Sequence, residues 1–231
     1  MEGGKSPSLV EVLHSLRCIR VKADGDVADN FEDYKKENFA LAIGSSINSI
    51  TAIDRFKSIC TPYCDRILSI RCRSVSEDAI QFLLNEEFFY KVIDLNLTYS
   101  KLSSESLNLL CNIVNPLKRL PIRRLNLSNC NLHYYGTVRL FQTRVGHSYV
   151  EEVIVTDNRC TDEALPIISK AVNDIQSKVN TLVLSGNDIT DKGMIILYRI
   201  ASFDMYPATT CIKILCISLL KLFLFLLLTP N

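Results

Sequence analysis

The side chains that could do chemistry in this chain are its histidines, cysteines and paired charges, and their spacing does not assemble a catalytic centre. Only three histidines occur, His14, His133 and His147. None has a serine, cysteine or carboxylate partner at nucleophile or metal-ligand spacing. No glycine-rich phosphate loop and no G-x-S-x-G elbow is present. Of nine cysteines, Cys60 and Cys64 form a Cys-x3-Cys pair. No second Cys or His pair stands at zinc spacing to complete a site. The expectation is a protein without catalytic residues, metal or cofactor.

The remaining charge chemistry lies in two basic–acidic pairs, Arg123-Arg124 and Glu151-Glu152, separated by 28 residues. That separation is the period of the chain. Ile122–Leu132 reads I-R-R-L-N-L-S-N-C-N-L, with apolar residues at Ile122, Leu125, Leu127 and Leu132 and Cys130 in a turn slot. The pattern returns as Val92–Leu102 (V-I-D-L-N-L-T-Y-S-K-L), Val150–Cys160 (V-E-E-V-I-V-T-D-N-R-C) and Val179–Ile189 (V-N-T-L-V-L-S-G-N-D-I). Leu95, Leu125, Val153 and Leu182 are then 30, 28 and 29 residues apart. A fainter copy, Asp65–Val75, places Leu68 27 residues before Leu95, with Arg73 in the turn slot. Each unit predicts a strand and a sharp turn.

After each strand comes Ser76, Ser103, His133, Thr161 or Thr190, four of which are good helix N-caps. Acids follow (Glu77, Asp78, Glu105, Asp162, Glu163, Asp191), where the helix dipole favours negative charge. Three positions past each cap stand Ala79, Ser106, Gly136, Ala164 and Gly193, all small enough to let the helix lie close to the strand layer. An apolar helical face completes each unit, such as Leu107, Leu110, Ile113 and Val114 in the second.

Over about 65–206 the chain resembles the ribonuclease-inhibitor-like class of leucine-rich repeats, departing from its pattern at Arg73, Ser100 and His133. The resemblance implies an α/β solenoid, curved, with parallel strands on the concave face and helices outside. It implies a protein partner without naming one; its class includes ribonuclease inhibitors and activators of small GTPases. Three regions are expected: 1–60, a helical cap or a degenerate repeat; 61–208, five repeats; 209–231, a degenerate final repeat or an apolar tail.

At the N-terminal end, Leu9–Val21 has the apolar spacing of one helix, Ala40–Ile43 of a strand and Ile47–Ile59 of a helix ended by Thr61-Pro62. Phe31 and Tyr34 lie in a charged stretch between them. At the other end, Thr209–Leu219 fits a strand, 30 residues from Leu182 to Ile212, followed by the apolar run Leu220–Leu228. A sixth repeat, a membrane anchor and an end from truncation or a variant transcript are the alternatives. Residues 212–228 fall short of a full span and hold Lys213 and Lys221.

Composition narrows the partner. Charged residues are 22 % and net charge is +1, so nothing global favours nucleic acid. No secretory signal is visible, and an odd cysteine count fits reduced thiols in cytoplasm or nucleus. The sequons at Asn96 and Asn126 fall in expected strands.

The expected partner surface is the outward side of the strands. Its central positions are Ser69, Asn96, Asn126, Ile154 and Val183, flanked by Arg71, Thr98, Ser128, Thr156 and Ser185. Arg66, Asp94, Arg123, Arg124, Glu151, Glu152 and Thr181 lie on the leading side, with Asp157 beside the fourth turn. The two charge pairs form either an ion ladder between neighbouring strands or a dipolar patch that orients a partner. The function expected is a non-catalytic adaptor or scaffold binding a protein on this face. The alternatives are a regulator of an enzyme or an interaction subunit anchored by the tail.

Overall fold

The computed structural model describes residues 7–22, 24–26, 37–44, 49–84, 90–118, 120–143, 145, 148–174, 176–201 and 213–215, with backbone alone at 50, 198–201 and 213–215. Eight strands form one parallel sheet in sequence order: β1 Arg17–Val21, β2 Phe39–Ile43, β3 Ile67–Cys72, β4 Asp94–Asn96, β5 Arg124–Asn126, β6 Glu152–Ile154, β7 Thr181–Val183 and β8 Lys213–Leu215. The helices are α1 Leu9–Ser15, α2 Ile50–Cys60, α3 Glu77–Leu83, α4 Ser104–Ile113, α5 His133–Gln142, α6 Leu165–Val172 and α7 Asp191–Ala201.

One strand with one returning helix per unit, stacked in sequence order, is a leucine-rich-repeat solenoid. Its core is a column of residues in register, Ile70, Leu95, Leu125, Val153 and Leu182, all with no exposed surface. Neighbouring strands repeat at about 4.8 Å, whereas packed helices need about 8–10 Å. The strands therefore take the inside of the curve.

The turn after each strand is built twice over. Ser74, Tyr99, Asn129, Asp157 and Gly186 occupy the same place in successive units, with φ of 55°, 61°, 56°, 53° and 67°. Asn, Asp and Gly suit this left-handed geometry; Ser and Tyr are held there by their surroundings. The following slot holds a polar ladder. Buried Asn158 accepts from the N–H of Cys130 (3.0 Å) and Leu132 (3.1 Å) and donates to the carbonyls of Leu127 (2.7 Å) and Thr156 (3.0 Å). Asn187 repeats the arrangement one unit later, toward Asn158, Cys160, Val155 and Leu184. Cys130 fills the slot with its thiol on the Leu97 carbonyl, and Ser100 with its hydroxyl on the Val75 N–H.

The five small residues are buried. Ser76, Ser103 and Thr190 cap as expected, through the N–H groups of Ala79, of Glu105 and Ser106, and of Lys192. Thr161 makes no capping bond, because the chain enters α6 through a 3-10 turn, and α5 has no side-chain cap. Two of the acids do more than face a dipole. Glu77 accepts from the Ser103 N–H and from the hydroxyls of Ser103 and Ser106, and Asp162 accepts from the N–H and hydroxyl of Thr190. Each carboxylate thus ties one repeat to the cap of the next.

The structure corrects three expectations. Leu9–Val21 is not one helix: Leu16 turns extended and Arg17–Val21 pairs along β2, burying Ile19 and Val21 alternately. In the first repeat Ile70, not Leu68, stands opposite Leu95, and Val75, not Arg73, fills the turn slot. In the last strand Ile214, not Ile212, pairs with Leu182. Both slips are by two residues, which alternation cannot detect because it leaves each side chain on the same face. Phe31, Tyr34, Ile47, His147, Leu220–Leu228 and the rest of the tail beyond β8 lie outside the described residues.

Candidate protein-binding face

The corrected register rearranges the outward rows of the sheet. The central row runs Arg20, Ala42, Arg71, Asn96, Asn126, Ile154 and Val183. Ser69 belongs instead to the leading row with Asp94, Arg124, Glu152 and Thr181, and Arg73 precedes Thr98, Ser128, Thr156 and Ser185 in the next. Several expected contact residues are covered: Ser69, Asp94, Ser185 and Ile154 are buried.

The leading charges satisfy one another. Arg123 holds Glu151 through two parallel bonds of 2.9 Å, a geometry matched to a carboxylate. Arg124 donates to Glu152 at 2.9 Å and to buried Asp94 at 3.4 Å, and the Ser69 hydroxyl donates to the other Asp94 oxygen at 2.6 Å. Arg71 extends the chain, with Nε to Ser69 (3.2 Å) and a terminal nitrogen to the Leu13 carbonyl (3.1 Å). Side chains from β3 to β6 are thereby linked to α1. The ion ladder is the arrangement this fold adopts.

On β4–β7 the side chains outside these ion pairs are mostly neutral and half-buried. Asn96 and Asn126 each turn their side-chain oxygen onto their own chain two residues on: Asn96 accepts from the Thr98 N–H (3.0 Å) and hydroxyl, and Asn126 from Ser128 (3.0 and 2.7 Å). Among the described residues no acceptor takes either side-chain NH2, so these donors face solvent. Thr156 and Val183 continue the strip, and exposed Asp157 accepts from Asn129 at 3.1 Å.

Titration is shifted at Glu77 and at several thiols. Burial raises Glu77, but hydrogen bonds from Ser103, Ser106 and Gln81 outweigh it and hold the carboxyl below its ordinary range. Burial pushes the thiols of Cys60, Cys72 and Cys130 up to about 12 and that of Cys111 to about 11, which keeps them inert at neutral pH. Among the described residues no group of three or more His, Cys, Asp or Glu is placed to hold a metal. No helix among them is long and apolar enough to cross a membrane.

Reading residues 9–21 as a helix conceals Arg20 as a member of this face, together with Lys22 just beyond it. The alternation in R-C-I-R-V was the signal that could have found them.

The fold and face define a leucine-rich-repeat solenoid with a polar inner surface. No family model matches the sequence, and no curated protein matches it. Among solved structures, the chain is similar to an internalin (InlF) from Listeria monocytogenes, with a TM-score of 0.42 and 12 % identity, over 74 % of this chain and 48 % of that one. The chain thus spans about half of that protein's length. At this level of likeness the fold rests on the strand register and turn ladder of the chain itself.

Proposed function

We propose that the chain is a non-catalytic adaptor or scaffold that binds a protein on its strand face, chiefly through Asn96, Thr98, Asn126, Ser128, Thr156 and Val183. The observation that carries this reading is the strip of half-buried side chains on β4–β7 with two solvent-facing amide donors. Such a strip offers hydrogen bonds and modest apolar area on a rigid sheet, which suits an interface more than a reaction. Steps of 28–30 residues from β4 to β7, with a helix in each return, favour the ribonuclease-inhibitor-like class. A reducing compartment, cytoplasm or nucleus, fits a thiol that serves as a turn donor at Cys130.

The test is site-specific photo-crosslinking, with the crosslinker at Asn126 or Val183 and, as control, at Ser104 on the helical side. A discrete crosslinked product is expected from the strand positions alone. Thr156→Arg is expected to remove it without changing the melting temperature. Equal products from both sides, or an unaffected Thr156→Arg variant, would overturn the reading.

A further inference from the structure

The N-terminal end of the strand face carries a charge arrangement that the fold does not consume. Arg20 on β1 and Arg71 on β3 are in register on either side of Ala42. Two residues on, exposed Lys22 and Arg73 flank Gly44, with the Arg73 N–H on the Ile43 carbonyl at 2.9 Å. Two basic walls therefore border a floor with almost no side chains. From strand geometry the backbones of the two walls stand about 10 Å apart and successive basic positions within each wall about 7 Å apart.

The local acids are occupied. Asp26 pairs with Arg55 at 3.1 Å, Asp24 accepts from the Asp26 N–H, and Asp94 is held by Ser69 and Arg124. Arg71 has only neutral acceptors, and Arg73 lies 5.4 Å from the centre of the Tyr99 ring. Among the described residues no carboxylate pairs with Arg20, Lys22, Arg71 or Arg73.

Resting on the reading of the strand face as a partner surface, we infer that this cleft docks an extended acidic segment of a protein partner, with carboxylates at alternate positions. In an extended peptide, side chains two residues apart share a face and repeat at about 7 Å, the spacing within each basic wall. A polypeptide fits better than nucleic acid because the far end of the face is lined by Glu151, Glu152 and Asp157. A long, uniformly anionic polymer crossing the strands would meet those carboxylates, whereas a short acidic segment lying along β2 between the two walls would not.

The experiment is fluorescence anisotropy with the full chain and a labelled peptide of alternating glutamate and serine, beside a glutamine–serine control. Saturable binding that weakens as salt is raised is expected for the glutamate peptide alone. R20Q/K22Q/R73Q, which spares Arg71 and its contacts, is expected to bind about tenfold more weakly, the combined effect of three partly exposed ion pairs. R20E/R73E is expected to reverse the preference toward a lysine–serine peptide. Equal binding of the glutamate and glutamine peptides, wild-type affinity in the triple variant, or tighter binding of a single-stranded oligonucleotide through the same residues would overturn the inference. The crosslinking test fails separately: crosslinks from Asn126 that survive in the triple variant leave the strand-face reading standing and remove only the acidic occupant.

Discussion

Replacing Asn158 by alanine tests the turn ladder where it is most enclosed. Asn158 has no exposed surface and makes four hydrogen bonds, to Cys130, Leu132, Leu127 and Thr156. Thr156 keeps its carbonyl satisfied by the Asn129 N–H. The substitution therefore strands two buried N–H groups and the Leu127 carbonyl. Each buried group left unpaired costs about 1–3 kcal/mol, so about 3–5 kcal/mol is expected in all. That is a fifth or more of the roughly 5–15 kcal/mol a domain possesses. In urea, followed by circular dichroism with a slope of about 2 kcal/mol/M, the midpoint should fall by about 1.5–2.5 M. Asn187→Ala is the internal control, because Asn187 makes four corresponding bonds but is itself half-buried, so water can enter the space its side chain leaves. It should cost about 1–2 kcal/mol. Asn158→Cys should fall between wild type and Asn158→Ala, since a thiol can donate to a carbonyl, as Cys130 does, but cannot bridge two amides. An Asn158→Ala loss below about 1 kcal/mol, or an Asn187→Ala loss as large, would refute the ladder as a main support of the fold.

Three further outcomes follow from the same contacts. Arg124→Ala should cost about 2–3 kcal/mol, because it leaves the buried Asp94 carboxylate with Ser69 alone, and adding Asp94→Asn should recover part of it. Arg123→Ala, which breaks a partly exposed pair, should cost less than about 1 kcal/mol in the same urea series. Glu77 has a lowered folded pKa, so its contribution is fully present above its ordinary value of 4.5 and is lost as pH falls through the lower folded value. The melting temperatures of wild type and Glu77→Gln should accordingly converge below pH 4.5 and separate above it. Finally, alkylation of the native protein at mildly alkaline pH, read by peptide mass spectrometry, should modify, among the described cysteines, exposed Cys18 first and half-buried Cys64 more slowly. Cys60, Cys72, Cys111, Cys130 and Cys160 should react only on unfolding.

The repeat itself was legible because both of its periods are carried by side chains: alternation in the strand and the cap, acid and small-residue sequence of the helix. Ser76 and Ser103 cap their helices, and the column Leu95, Leu125, Val153, Leu182 is the core. What was not legible follows from the same periods. A shift of two residues preserves alternation, so Leu68 and Ile70, or Ile212 and Ile214, compete as equals until hydrogen bonding to the neighbour decides. At β1 a short run satisfied helical spacing as well as strand spacing, and only pairing with β2 separates them. The dual use of Glu77 and Asp162 was hidden because a cap is read within one helix, whereas these carboxylates reach across to the next.

That distinction also decides where a partner can be recognised by charge. The arginines and glutamates that stand out in sequence, Arg123, Arg124, Glu151 and Glu152, lie one strand apart at matching positions, so the solenoid brings each cation onto a carboxylate. A partner that used them would first have to break bonds of 2.9 Å that the sheet already holds, and would gain only the difference. Arg20, Lys22 and Arg73 have no such internal competitor among the described residues, because the strand beside β1 and β3 offers Ala42 and Gly44 at the matching positions. The charges with most to contribute to binding are therefore the ones that the repeat pattern leaves unmatched.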